Sequence, residues 1–90
     1  MKPSKEAKIQ TLECIIPKFI QVDIEDRIIS ACMEEKFRCC YKIRKSVLAE
    51  YKINVNDIYK WLKLYGYNMR TSVDESSLWI TIDWNVYIKV

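Results

Sequence analysis

Ninety residues, half of them hydrophobic and 30% charged, with a net charge of +3, describe one small domain that must use its core efficiently. The absence of histidine and the presence of a single glycine exclude histidine-based acid–base or nucleophilic catalysis, histidine metal ligands and glycine-rich phosphate cradles. Four cysteines with no CxxC spacing argue against a zinc ribbon or a thioredoxin motif, and no cofactor is expected.

In chain order, residues 4–14 come first. Ile9, Leu12, Ile15 or Ile16 and Phe19 recur every three to four residues, which predicts a short amphipathic helix with Ser4 as N-cap and Pro17 as its stop. The stretch "CIIPKFIQV" also allows an edge strand. The start of the chain is polar and nowhere do 18 apolar residues run together. The expectation is therefore a cytoplasmic protein, or one carried inside a particle, with no membrane partner and with Cys14, Cys32, Cys39 and Cys40 as reduced thiols.

The next element, "DIEDRIISACMEEKF", predicts a helix over about residues 23–35. Asp23 is its N-cap, with Glu25 and Asp26 at the positive end of the helix dipole. Those three acids are explained by capping rather than by a Mg²⁺ site. "FRCCYKI" then alternates: Phe37, Cys39, Tyr41 and Ile43 face one way, and Arg38, Cys40 and Lys42 the other. This is a strand with one buried side. The decad 36–45 holds Lys36, Arg38, Lys42, Arg44 and Lys45 without an acid, a third of the fifteen basic residues. Such a run is either a solvated strand face or a surface for nucleic acid or an acidic protein.

Residues 44–66 predict two helical pieces. Val47, Leu48 and Tyr51 form the first, capped by Ser46. Asn54 or Asn56 starts the second, whose stripe is Val55, Ile58, Leu62 and Tyr65, with Trp61 beside it. Gly66 stands where a left-handed residue ends a helix. The outward face of this helix shows Asn56, Tyr59, Lys60 and Lys63, side chains that a recognition helix directs at base edges. A hairpin follows. Its last strand alternates from Leu78 to Val90, with Trp79, Thr81, Asp83, Asn85, Tyr87 and Lys89 on the second face. Thirteen residues exceed the usual strand, so the part past Asn85 is expected to bend or to pair elsewhere, which raises homo-oligomerisation through this C-terminal strand. The hairpin tip carries Asp74 and Glu75, which repel phosphate, with Arg70 the only base nearby.

These elements make an α+β fold: a small, mostly antiparallel sheet with helices on one face. Their order over residues 23–84, with "IEDRIISACMEEKF", "RCCYKI", "SVLAEYK" and "NVNDIYKWLKLYGY" ahead of the hairpin, resembles a winged helix. Over residues 28–84 the pieces "IISACMEEKFRCCYKI", "WLKLYGYNM" and "ITIDW" resemble small orphan proteins of tailed bacteriophages, apart from a "MEEK" turn without the usual glycine. That resemblance implies an accessory protein of the host cytoplasm or the virion and carries over no catalytic residues.

The leading expectation is a non-catalytic protein that binds a protein partner, a host factor or virion component, through Trp79 and Tyr87. The alternative is a winged-helix-like DNA- or RNA-binding protein using Arg38, Lys42, Arg44, Lys45, Lys60 and Lys63. Thiol chemistry at Cys39 and Cys40 is a remote third.

Overall fold

A computed structural model describes residues 4–84. Seven elements follow one another: α1 (Ser4–Ile15), α2 (Lys18–Met33), β1 (Arg38–Arg44), α3 (Lys45–Glu50), α4 (Val55–Leu64), β2 (Asn68–Val73) and β3 (Ser77–Asp83). The three strands form one antiparallel sheet in the order β1-β3-β2. The fold is α+β, and from α2 onward it has the helix, strand, helix pair and hairpin order expected.

Alternation decides which side of the sheet is covered. Tyr41 and Ile43 of β1, Met69 of β2, and Leu78, Ile80 and Ile82 of β3 are buried on one face. They pair in register as Tyr41 with Ile80, Ile43 with Leu78, and Met69 with Ile82. Ile20 and Ile24 of α2 and Ile58, Trp61 and Leu62 of α4 join the same core. Ile20, Ile24, Ile58, Leu62, Ile80 and Ile82 are fully buried, and each contributes about 1.5–3 kcal/mol. Among the described residues, no helix covers the opposite face of the sheet.

Two helix starts differ from expectation. Asp23 is not an N-cap: α2 begins five residues earlier, with Pro17 in the capping position at φ −54° and ψ 137°. Pro17 ends α1 and also launches α2, because its ring supplies the extended geometry a helix start needs and its missing N–H costs nothing there. Extending the helix to Lys18 brings Ile20 into the core. Asp23 instead accepts the Tyr41 hydroxyl at 2.9 Å, tying α2 to β1, and Glu25 and Asp26 lie within the helix. Ser46 does not cap α3 either; Arg44 holds that position with no side-chain bond. Phe37 precedes β1 and is exposed rather than inward-facing.

Three helices end alike. In α4 the amide of Gly66 donates to the Lys63 carbonyl and that of Tyr67 to the Leu62 carbonyl, with Gly66 at φ +89°. The same two-bond turn closes α2 through Glu35 at φ +59° and α3 through Lys52 at φ +51°. In the "MEEK" turn, Glu35 therefore takes the left-handed position that glycine normally fills.

α1 packs against α4. Glu13 Oε1 accepts the Tyr65 hydroxyl at 2.6 Å and Trp61 Nε1 at 3.4 Å. The buried Gln21 of α2 donates from Nε2 to the carbonyls of Glu13 and Ile16, both at 2.8 Å, and so satisfies the end of α1.

Candidate functional site

The sheet and helix geometry divides the basic residues singled out above into two surfaces. The first is built on α4. Its N-terminus is set by Asn54, whose side chain accepts the Asn56 amide at 3.0 Å, and its end by Gly66. With Ile58, Trp61 and Leu62 turned to the core, Asn56, Tyr59, Lys60 and Lys63 are left exposed. This exposed face is bordered by two grooves. One, of about 680 Å³, lies between α4 and α1 and is lined by Lys8, Thr11, Leu12, Tyr59, Lys60 and Lys63 among others. The other, of about 420 Å³, lies between α4 and β2 and is lined by Asn56, Tyr59, Arg70 and Thr71 among others. Among the described residues, neither lining includes an acid. Lys63 Nζ donates to Asn68 Oδ1 at 3.1 Å and stands 5.9 Å from the Tyr59 ring centre, so its charge is held over the helix–hairpin junction.

The second surface is the open face of the sheet. Arg38, Lys42 and Arg44 project from β1, Arg70 from β2 and Trp79 from β3. Lys42 and Trp79 are register partners, and the Lys42 ammonium lies 5.2 Å from the ring centre. Trp79 is 39% exposed, and its Nε1 donates to Asp74 Oδ2 at 2.8 Å. A concavity of about 540 Å³ at the far end is lined by Lys36, Phe37, Arg38, Arg70, Thr81 and Asp83. Here an acid is present: Asp83 accepts Asn68 Nδ2 at 3.1 Å. Lys45 opens α3 and is exposed, its amide donating to the Ser76 carbonyl at 3.0 Å.

The acidic hairpin tip has a structural use. Asp74 Oδ1 accepts the amides of Ser76 at 2.9 Å and Ser77 at 2.7 Å, and its other oxygen takes Trp79. The Trp79 bond, then the two amides, hold this carboxyl below its usual value. Its charge is thus committed to the turn.

Arg38, Lys42 and Arg44 share a face with Trp79, so the residues nominated for nucleic acid and for a protein partner are neighbours. Lys60 and Lys63 belong to the other surface. Tyr87, the strand past Asn85 and the self-association expected of it lie outside the described residues. Lys8 was missed: no pattern in the sequence indicates that α1 lies against α4. Arg70 was visible as a base near the hairpin, but its place in a groove with Asn56 and Tyr59 depends on packing.

Cys39 turns inward and Cys40 outward. Burial, with a smaller contribution from Cys40, pushes the Cys39 thiol up to about 11, which leaves it protonated and a poor nucleophile at neutral pH. Cys40 Sγ lies 3.7 Å from Thr81 Oγ1. Among the described residues no three His, Cys, Asp or Glu side chains converge on a possible metal position, and no helix is long and apolar enough to cross a membrane. Comparison with family models, curated proteins and solved structures finds no match.

Proposed function

We propose that this chain is a non-catalytic nucleic-acid-binding protein that presents α4 to a duplex, flanked by α1 and β2. The observation that carries the reading is the composition of the two grooves beside α4. They bring together Lys8, Lys60 and Lys63 with Asn56 and Tyr59, while Arg70, on the edge strand β2, borders both the second groove and the open sheet face; among the described residues no acid lines either groove. Cations steer and hold phosphate, while Asn and Tyr at the centre offer hydrogen bonds to base edges. The position of α4, second of a helix pair and followed by a hairpin, is that of a recognition helix in winged-helix proteins. The hairpin contributes Arg70 from its base rather than a basic tip.

Anisotropy of a labelled duplex tests the reading. Four phosphate contacts predict that affinity falls about a hundredfold between roughly 50 and 200 mM salt. Absence of binding at the lower salt refutes the proposal.

A second reading has its own observation in the open face of the sheet. An exposed Trp among arginines is the composition of a protein-binding hot spot. Here the chain binds an acidic protein through Trp79, Arg38, Lys42 and Arg44. The phage-type accessory role, host-factor inhibitor or virion component, belongs to this reading and is supported only by the resemblance of residues 28–84. Pull-down with Trp79→Ala separates the two: loss of a protein partner with duplex binding intact favours the second.

A further inference from the structure

Helix α2 is apolar on two opposite faces. At about 100° per residue, Ile20, Ile24, Ile28 and Ala31 fall on the side that meets the core. Phe19, Val22, Ile29 and Met33 fall on the other, at exposures of 41%, 41%, 57% and 81%. An amphipathic surface helix carries one apolar stripe, and a helix apolar all round belongs to a buried environment. The outer stripe is therefore unexplained by the single chain.

We propose that this stripe is the surface through which two copies of the chain pair, α2 against α2. Its spacing points to a helix as the occupant. Positions 19, 22, 26, 29 and 33 alternate steps of three and four, the repeat by which one helix inserts side chains between those of another. Position 26 is the one polar member: Asp26, in the middle of the stripe. A lone polar residue at such a position sets register and partner number at a cost in affinity.

Charge permits a second copy. Asp26 within the stripe and Lys18, Asp23, Glu25 and Arg27 around it sum to −1, so identical surfaces meet with little net repulsion. The faces around α4 and β1 carry the excess of Lys and Arg and would repel their own kind. The area is also sufficient. Phe19 meets Tyr51 edge-on at a ring separation of 5.0 Å, which adds the half-exposed Tyr51 to the patch. With large side chains of about 150–200 Å² each, these exposures amount to roughly 450–500 Å² per chain. Two copies then remove about 1,000 Å², where specific interfaces begin.

Sedimentation equilibrium of the full chain between about 5 and 500 μM tests the proposal. The expected result is a reversible monomer–dimer equilibrium, weakened at least tenfold by Ile29→Glu and tightened at least tenfold by Asp26→Leu without species beyond the dimer. Circular dichroism verifies the fold of each variant. Met33→Glu, at the exposed end of α2, is the second disrupting variant should Ile29→Glu unfold. A chain that stays monomeric throughout overturns the proposal, as does a dimer indifferent to both Glu variants. A monomer whose stripe captures a different protein shows that the second copy is the wrong occupant.

Discussion

The Lys42 ammonium lies 5.2 Å from the centre of the Trp79 ring, directly opposite it in the β1–β3 register. The indole is gripped at its other end as well, by Asp74 at 2.8 Å. A residue 39% exposed is thus held in one orientation on an open sheet. This ties the indole environment to the hairpin turn.

Asp74 makes that link sensitive to acid. Its carboxyl is held below the ordinary 3.8, chiefly by Trp79. A depressed carboxylate stabilises the fold above its unfolded value and loses the effect as pH falls through the lower folded value. The indole emission contributed by Trp79, taken as the difference from Trp79→Phe, should change with a midpoint below 3.8. Asp74→Asn should abolish the transition; a midpoint at or above 3.8 contradicts the assignment.

Glu35 and Lys52 occupy left-handed positions at helix ends where Gly66 occupies the third. A side chain there costs about 1 kcal/mol relative to glycine. Glu35→Gly and Lys52→Gly should each raise the melting temperature by about 4–8 °C. Gly66→Ala should lower it comparably, and through the backbone alone, since an added Cβ meets nothing within 4 Å. Thermal melts of the three variants decide the matter, and a loss of stability in both Gly variants would show the turns are shaped by something else.

The Glu13–Tyr65 bond should be visible in alkaline titration. Its hydrogen bond to Glu13, then burial, pushes Tyr65 up to about 12 from 10.0. A raised phenol stabilises the fold fully below the unfolded value near 10 and loses the effect as pH rises through the folded one. Absorbance of phenolate, taken as the difference from Tyr65→Phe, should show Tyr65 ionising late in the native chain and earlier in Glu13→Ala. Gln21→Ala probes the same docking from the α2 side. It leaves the carbonyls of Glu13 and Ile16 without their donor and should cost about 1–3 kcal/mol in urea denaturation.

The two basic surfaces make opposite demands on charge reversal. If α4 carries the duplex, Lys8→Glu and Lys60→Glu should each weaken binding at least tenfold at about 100 mM salt and flatten the salt slope by about one. Arg44→Glu, on the sheet, should change it less than threefold. The reverse order would move the nucleic acid to the sheet face.

What could be read from residues alone follows from how local the physics is. Asn54 and Gly66 bracket α4 because a cap and a left-handed stop act within one turn of their own positions. The faces of β1 and β3 follow from strict alternation, which survives whatever packs on them. The sequence marks Pro17 only as the stop of α1 and Asp23 as the cap of α2, whereas the actual start at Lys18 falls to the burial of Ile20, a tertiary fact. Lys8 joins Lys60 and Lys63 only through the docking of α1, held by Glu13 and Gln21 across 52 and 8 residues of chain. No local pattern encodes such a meeting.

The adjacent thiols on opposite sides of β1 give the molecule a built-in clock. Cys14, Cys32 and Cys40 face solvent, whereas Cys39 is partly covered and its thiol is pushed up to about 11. A small alkylating reagent should therefore take up three equivalents quickly and the fourth more slowly. The slow phase, followed by intact mass, reports on the covered face of β1 in a chain that needs no added label.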